Sequence, residues 1–177
     1  MKGVVLAELV QFAESRYGVT PPPTAFDAVG NYPYSDLAAL VGATAEHAGI
    51  PPADLVRAFG AHLFGRFAAL YPIFFFDAGS ALDFLGRINT YVHGEVQKLY
   101  PDAEFPHFDV ARRSATKLEL TYRSSRPLAD LAEGLIRGCI AHFGRPITVH
   151  REDLDPDAHA ARFVLDAGSA ARRTDRS

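Results

Sequence analysis

Hydrophobic residues recur every three or four positions along the first hundred residues, which is the spacing of amphipathic helices. The pattern predicts helices over residues 2–17, from Tyr34 or Ser35 to His47, from Pro51 to Pro72, and from Ser80 to about Tyr100. Prolines and glycines separate these segments, and the consecutive prolines Pro21–Pro23 predict a loop over residues 18–32. The first part of the chain is therefore predicted to be helical.

The second part of the chain mixes strand and helix patterns. Residues 117–124 alternate apolar and polar side chains, which is the period of a half-buried strand. Another strand is predicted before this one, with a turn near Arg112–Ser114 between them. A helix from Pro127 to His142 follows. Two further strands, Ile147–Arg151 and Ala161–Leu165, are predicted on either side of the acidic turn Glu152–Asp157. Helices followed by antiparallel strands with one helix among them predict an α+β fold.

Composition excludes several classes of function. The 177 residues suffice for one domain with a sizeable core and are short for two. A net charge of −3 gives no basic field that would favour nucleic acid or an anionic membrane. No apolar run reaches the roughly 18–20 residues that span a bilayer. The single cysteine, Cys139, excludes an internal disulfide, and these features together predict a soluble, cytoplasmic protein.

The candidate chemistry begins at the end of the second predicted strand. On a strand, Tyr122, Ser124 and Arg126 point to the same side, with neighbours roughly 6.6 Å apart. A phenol, a hydroxyl and a guanidinium suit an anion with two separated carboxylates, because arginine binds a carboxylate through two parallel hydrogen bonds. A strand end whose polar residues face water explains the spacing equally well.

These residues form a Tyr-x-Ser-x-Arg motif that resembles the haem-propionate motif of the haem-nitric oxide/oxygen-binding (H-NOX) domains, which are related to the haem domain of soluble guanylate cyclase. Further stretches resemble the family in the same order: Met1–Val5, Leu55–Gly60, Leu70–Phe75, Val92–Ala103 and Phe105–Phe108. The likeness runs from Met1 to about residue 166. The order and spacing of the matches, more than any one of them, carry the resemblance.

The resemblance implies a single H-NOX-like domain over residues 1–166. A helical part over residues 1–60 would be followed by a haem-ligating part over residues 61–166, with the haem buried between them. Residues 167–177 are small, polar and charged, and are predicted to form a disordered tail.

The resemblance also implies the cofactor, haem b, and its axial ligand, His93. A neutral imidazole binds ferrous iron through one ring nitrogen, and a helix fixes its direction. His62, on a helix face predicted to be solvated, and His107, in a loop, are the alternative ligands. Pro106 would press against the haem and help bend it out of plane, because its ring is rigid.

The distal side of the haem distinguishes the gases. In family members that hold oxygen stably, a tyrosine after the Tyr-x-Ser-x-Arg motif donates a hydrogen bond to it, and Leu131 stands at that position here. The other implied distal residues are also apolar: Val5, Leu9, Leu63 and Phe67. Bound oxygen needs a donor, whereas nitric oxide binds ferrous iron tightly without one. The sequence therefore predicts a nitric oxide sensor that also takes carbon monoxide, unless Tyr17 or Tyr32 reaches the pocket.

A sensor is predicted and not an enzyme, because no acid pair, nucleophile triad or phosphate loop occurs at usable spacing. Family analogy gives a separate histidine kinase or cyclic-di-nucleotide enzyme as the partner. The alternatives are an oxygen sensor on the same fold and a haem-free module that binds an apolar ligand or a protein. Some relatives bind zinc through several cysteines and a histidine. Cys139 lacks a partner cysteine, although His159 is available, so no structural zinc is predicted.

Overall fold

The computed structural model describes residues 2–19, 26–99 and 101–168, which form five helices, two strands, a sixth helix and two further strands in that order. The helices are α1 (Gly3–Tyr17), α2 (Tyr34–Ala48), α3 (Pro52–Leu70), α4 (Ala81–Gly86), α5 (Gly94–Leu99) and α6 (Ala129–Phe143). A 3₁₀ turn (Pro72–Phe74) follows α3, and a π-helical turn (Ile88–His93) precedes α5. The strands are β1 (His107–Arg112), β2 (Lys117–Arg123), β3 (Thr148–Asp153) and β4 (Ala160–Asp166). Prolines Pro21–Pro23 and residues 169–177 of the predicted tail lie outside the described ranges.

The strands form one antiparallel sheet in the order β1-β2-β4-β3, which confirms the α+β prediction. Alternate residues of the two central strands are buried, and they pair across the strands, as Leu118 does with Leu165 and Leu120 with Phe163. Their side chains pack with those of α4 and α6 into one hydrophobic cluster. The sheet therefore has one covered face, as the period of two requires.

A second hydrophobic cluster lies among α1, α2 and α3, with Leu6, Leu9, Leu55 and Phe59 at its centre. Leu128 and Leu135 pack against both clusters. The start of α6 is therefore the place where the helical part meets the sheet. Among the described residues, no helix is long and apolar enough to span a bilayer.

Helices α3 and α6 approach closely at glycines. A Cβ added at Gly60 would lie 2.6 Å from the carbonyl oxygen of Leu131, and one at Gly138 would lie 2.7 Å from the Cβ of Phe64. A Cβ at Gly134 would overlap the carbonyl of Arg57. Such contacts exclude any side chain, so the glycines set the spacing of the two helices. The predicted division at residues 60 and 61 falls inside α3, which thus contributes to both parts of the domain.

Ion pairs also stabilise the contact between α3 and α6, near Arg57. Arg151 on β3 binds the carboxylates of Asp130 at 2.7 Å and Glu133 at 3.1 Å, and Arg57 on α3 also binds Asp130, at 2.5 Å. Burial opposes ionisation of Glu133, but Arg137 and Arg151 hold its pKa below the usual value. The network joins α3, α6 and β3, with each buried charge paired.

The prediction of one continuous helix from Ser80 to Tyr100 is wrong. Ser80 does begin a helix, since its Oγ accepts the N–H of Asp83 at 3.2 Å. Arg87 leaves the α-helical conformation (φ −113°, ψ 13°), however, and its guanidinium donates to the carbonyl oxygens of Asp77 and Asp83. The contact with Asp77, which lies outside the helix, accompanies the break in the periodic pattern, and the next turn is π-helical.

Candidate functional site

His93 is the last residue of the π-helical turn, and its imidazole is largely buried among aromatic rings. The ring of Phe105 stacks on it at 4.8 Å with an angle of 22°, and that of Phe108 lies 6.2 Å away. Burial lowers the pKa of His93 to about 4, so the imidazole is neutral at neutral pH. Within the described residues, neither ring nitrogen has a hydrogen-bond partner. A neutral imidazole with a free ring nitrogen is the form that coordinates a metal.

The π-helical turn is itself typical of functional sites, where an extra residue in a turn redirects a side chain. Here it separates α4, which packs into the sheet cluster, from α5. Ile88 and Val92 of the turn also pack against that cluster. His93 therefore lies between the part of the turn that packs against the sheet cluster and helix α5, after which the chain continues to Phe105.

Tyr122, Ser124 and Arg126 do lie together, but not as three positions of one strand. Strand β2 ends at Arg123, and Ser124 donates its backbone N–H to the carbonyl of His159 at 2.9 Å. The Oγ of Ser124 then accepts the N–H of Arg126 at 3.1 Å, which closes a tight turn. The turn, and not the pleat of a strand, brings the three residues together, so that part of the prediction is wrong.

Tyr122 is buried at the end of β2, and its hydroxyl lies 3.5 Å from the carbonyl oxygen of Arg126. Burial raises the pKa of this phenol, while bonds to the Ser124 side chain and the Leu128 backbone partly offset the rise. Tyr34, at the start of α2, lies near enough to add to the rise. Tyr34 was not predicted to lie near the motif, because it is distant from Tyr122 in sequence.

The guanidinium of Arg126 already binds a carboxylate. Its Nη2 donates to Oε2 of Glu104 at 2.7 Å, across a gap of 22 residues. Three quarters of the Arg126 side chain is buried, whereas Glu104 is mostly exposed. The remaining donors of the guanidinium fork are available to a second carboxylate. The site therefore has the chemistry expected for anchoring an acidic group.

The five apolar residues assigned to the distal side belong to one cluster. Leu9, Leu63 and Leu131 are buried in it, and Val5 and Phe67 pack against it. The two tyrosines considered as donors, Tyr17 and Tyr32, also pack against this cluster. The Tyr32 hydroxyl accepts the N–H of Asp27 at 2.8 Å, and the Tyr17 ring packs edge-on against Phe12. The structure thus brings the five apolar residues together, with partly buried tyrosines against the same cluster.

The alternative histidines have different surroundings. His107 is exposed, with Nε2 3.0 Å from a carboxylate oxygen of Asp109. His62 is half-buried against the ring of Phe12, and its Nε2 lies 3.6 Å from the buried carboxylate of Glu8. The prediction that His62 faces solvent is therefore wrong. Each of these imidazoles lies beside a carboxylate, unlike His93.

Several neighbours of the site were not predicted from sequence. Phe105 stacks on His93, Glu104 binds Arg126, and the side chain of Asn89 binds the backbone of Phe108. Phe105 lies in a short loop between α5 and β1, and an aromatic residue there is a signal that could have indicated a ring contact with His93. Asn89 and Glu104 carry no such signal, since their partners are distant in sequence.

The residues present fit an iron porphyrin. A neutral imidazole can hold the iron, an arginine in a polar turn can hold propionates, and a continuous apolar cluster can cover a flat ring. Together they are typical of a haem-binding domain.

Comparison with known proteins gives the family. The sequence profile described as Haem-NO-binding matches residues 2–151. None of the curated protein sequences matches the chain significantly. The fold is similar to that of the Fe(II) unliganded H-NOX protein from K. algicida, with 25% sequence identity and a TM-score of 0.87 over 94% of this chain and 96% of that chain. It is also similar to that of the H-NOX from Shewanella woodyi bound to IWP-051 in the Fe(II)CO state, with 28% sequence identity and a TM-score of 0.80 over 99% of each chain. An H-NOX protein from S. oneidensis in the Fe(II)NO state has the same fold (24%, 94% and 98%, TM-score 0.85).

The chain belongs to the Haem-NO-binding, or H-NOX, family. Members of this family bind haem and act as gas-sensing modules. The resemblance seen in the sequence is thereby confirmed.

Proposed function

We propose that this domain binds ferrous haem b with His93 as the axial ligand and senses nitric oxide in preference to oxygen. The proposal rests on two features of the structure: a largely buried His93 imidazole without a hydrogen-bond partner among the described residues, and an apolar set of assigned distal residues. Bound haem would supply an iron site for a diatomic gas. An apolar distal wall offers no donor to stabilise oxygen, and nitric oxide needs none.

The chain's own residues would orient the cofactor. His93 would present its ring nitrogen from the π-helical turn, with Phe105 holding the imidazole plane. Arg126 and the hydroxyls of Tyr122 and Ser124 would bind the propionates, and Pro106 would contact the ring from the loop between Phe105 and His107. The apolar cluster would exclude water from the distal side.

A route from the site to the rest of the molecule leads through α5. The helix begins directly after His93, and the chain beyond it reaches Asp102, whose carboxylate binds Nζ of Lys2 at 2.8 Å and Nδ2 of Asn31 at 2.5 Å. A displacement of His93 would therefore be passed to the start of α1. Such a two-state contact can change a surface that another protein recognises.

Signalling to a separate protein is part of the proposal. By family analogy the partner is a histidine kinase or a cyclic-di-nucleotide enzyme. Co-purification with such a protein encoded beside this chain, followed by assay of its output with and without nitric oxide, would identify it.

The direct test is purification without oxygen in the presence of haem. The ferrous protein is expected to show a Soret band, to form a stable nitric oxide complex and to show no oxygen complex in air. A stable oxygenated spectrum would establish an oxygen sensor instead. A preparation that stays colourless with ample haemin would establish a haem-free binding module.

A further inference from the structure

Asn89 makes an unusual pair of contacts with the sheet. Its Nδ2 donates to the carbonyl oxygen of Phe108 at 2.5 Å, and its Oδ1 accepts the N–H of the same residue at 3.3 Å. One amide side chain thus binds both backbone groups of Phe108. The side chain is half-buried, in the π-helical turn that also carries His93.

The position of Phe108 in the sheet explains why a partner is needed. Phe108 lies opposite Tyr122 in the β1–β2 register, and β1 is an edge strand. The backbone groups of a residue in an antiparallel strand both point to the same side. Those of Phe108 point away from β2, to a side where the described part of the chain has no further strand, and Asn89 supplies the bonds that a neighbouring strand would make.

The side chain of Phe108 links this contact to the site. Its ring lies 6.2 Å from the imidazole of His93 and 5.5 Å from the ring of Tyr122, measured between centroids. Asn89 and His93 are four residues apart on one element. The two bonds therefore fix that element to the strand residue whose ring contacts both His93 and Tyr122.

We propose that Asn89 is a positioning residue that sets the direction of the His93 imidazole by fixing the π-helical turn to Phe108 of β1. The role rests on the proposed function, since it has a consequence for haem only if His93 is the axial ligand. Without these bonds the turn is held to the strand by side-chain packing alone, and the imidazole is free to tilt.

The test compares Asn89→Leu, which keeps the size of the side chain and loses both bonds, with Asn89→Asp, which keeps the acceptor and loses the donor. Thr90→Val is the matched control, because Thr90 is the next residue of the same turn, is exposed, and bonds only to the carbonyl of Arg87 at 3.4 Å. Each full-length variant is measured without haem and with ferrous haem.

Without haem, hydrogen exchange at the Phe108 amide should be about tenfold faster in Asn89→Leu, because one to two net hydrogen bonds are lost. It should be unchanged in Thr90→Val. With ferrous haem, resonance Raman spectroscopy should show the iron–histidine stretch shifted to a new frequency in Asn89→Leu, less shifted in Asn89→Asp, and at the wild-type value in Thr90→Val.

One outcome would overturn the proposal: Asn89→Leu shows faster exchange at Phe108 but keeps the wild-type frequency of the iron–histidine stretch. The contact would then stabilise the fold without setting the direction of the imidazole. If Asn89→Leu does not fold, the same comparison is decided by Asn89→Asp against Thr90→Val. If the wild-type protein shows no Soret band with haem, the proposed function itself is wrong. Failure of the Asn89 proposal and failure of the proposed function are therefore distinguishable.

Discussion

At the scale of single residues, the imidazole of His93 carries the strongest prediction. Replacing it by glycine, His93→Gly, should remove the axial ligand and leave a cavity beside Phe105 that free imidazole can fill. The ferrous absorption spectrum should change in the variant and return when imidazole is added. His107→Gly is the control, because that histidine is exposed and lies beside Asp109. Spectra that are unchanged in His93→Gly would dismiss the assignment.

Arg126 and Glu104 should have opposite effects on haem retention. Arg126→Ala removes the cation proposed to bind the propionates, so haem should be lost faster. Glu104→Gln keeps the shape of the side chain and removes a carboxylate that competes for the same guanidinium, so haem should be lost more slowly.

The expected sizes follow from the exposure of the ion pair. An exposed pair is worth up to about 1 kcal/mol, so the effect of Glu104→Gln should not exceed roughly fivefold. The rate of haem transfer to apomyoglobin measures both variants. Equal rates in Arg126→Ala and the wild type would count against the propionate role.

Leu131 should decide the choice of gas. Leu131→Tyr adds a phenol to the apolar cluster at the start of α6 and should give an oxygen complex that is stable enough to record in air. Leu131→Phe adds the same ring without the hydroxyl and should not. The absorption spectrum of each ferrous protein on exposure to air is the measurement. Oxygen binding by both variants would attribute the effect to packing and not to hydrogen bonding.

At the scale of elements, the contact between α3 and α6 depends on glycine. Gly60→Ala would place a Cβ 2.6 Å from the carbonyl of Leu131, so the helices must separate, at a cost of about 1–3 kcal/mol in the free energy of unfolding. Gly65→Ala on the same helix meets no atom within 4 Å and should instead stabilise the protein, by up to about 1 kcal/mol. Urea denaturation of the two variants tests this contrast, and similar midpoints would contradict it.

The elements also show what the sequence can predict. The helix boundaries of α1 and α2 follow from local periodicity and from glycines that end each helix in the left-handed conformation, as Gly18 and Gly49 do. The break at Arg87 and the π-helical turn were missed, because bonds to Asp77 and to Phe108 of a distant strand determine them. Local patterns contain no information about such contacts.

The same distinction holds for the site. The motif identified Tyr122, Ser124 and Arg126 as a group, but the turn that assembles them depends on His159, which lies on the other side of α6 in sequence. His159 also approaches the Ser124 carbonyl through Nδ1, at 3.1 Å. The grouping of these three residues was therefore predictable from the motif, whereas the residue that holds their turn in place was not.

At the scale of the whole molecule, Asp102 joins the chain after α5 to its beginning. Bonds to Lys2 and Asn31 lower the pKa of this carboxyl from 3.8 to about 2. Because the folded pKa lies below the ordinary one, the stabilisation is fully present above about pH 4 and is lost as the pH falls towards 2. The wild type should therefore be more stable than Asp102→Asn at pH 5, and the difference should shrink by pH 2.5.

Denaturant midpoints of both proteins at the two pH values measure this change. Asp157→Asn is the control, because Asp157 is exposed and its carboxylate has no ion pair among the described residues. A difference between the wild type and Asp102→Asn that stays constant from pH 5 to pH 2.5 would mean that the ionised carboxylate contributes nothing. The contact could not then carry a displacement of His93 to α1, and the proposed route through α5 would have to be abandoned.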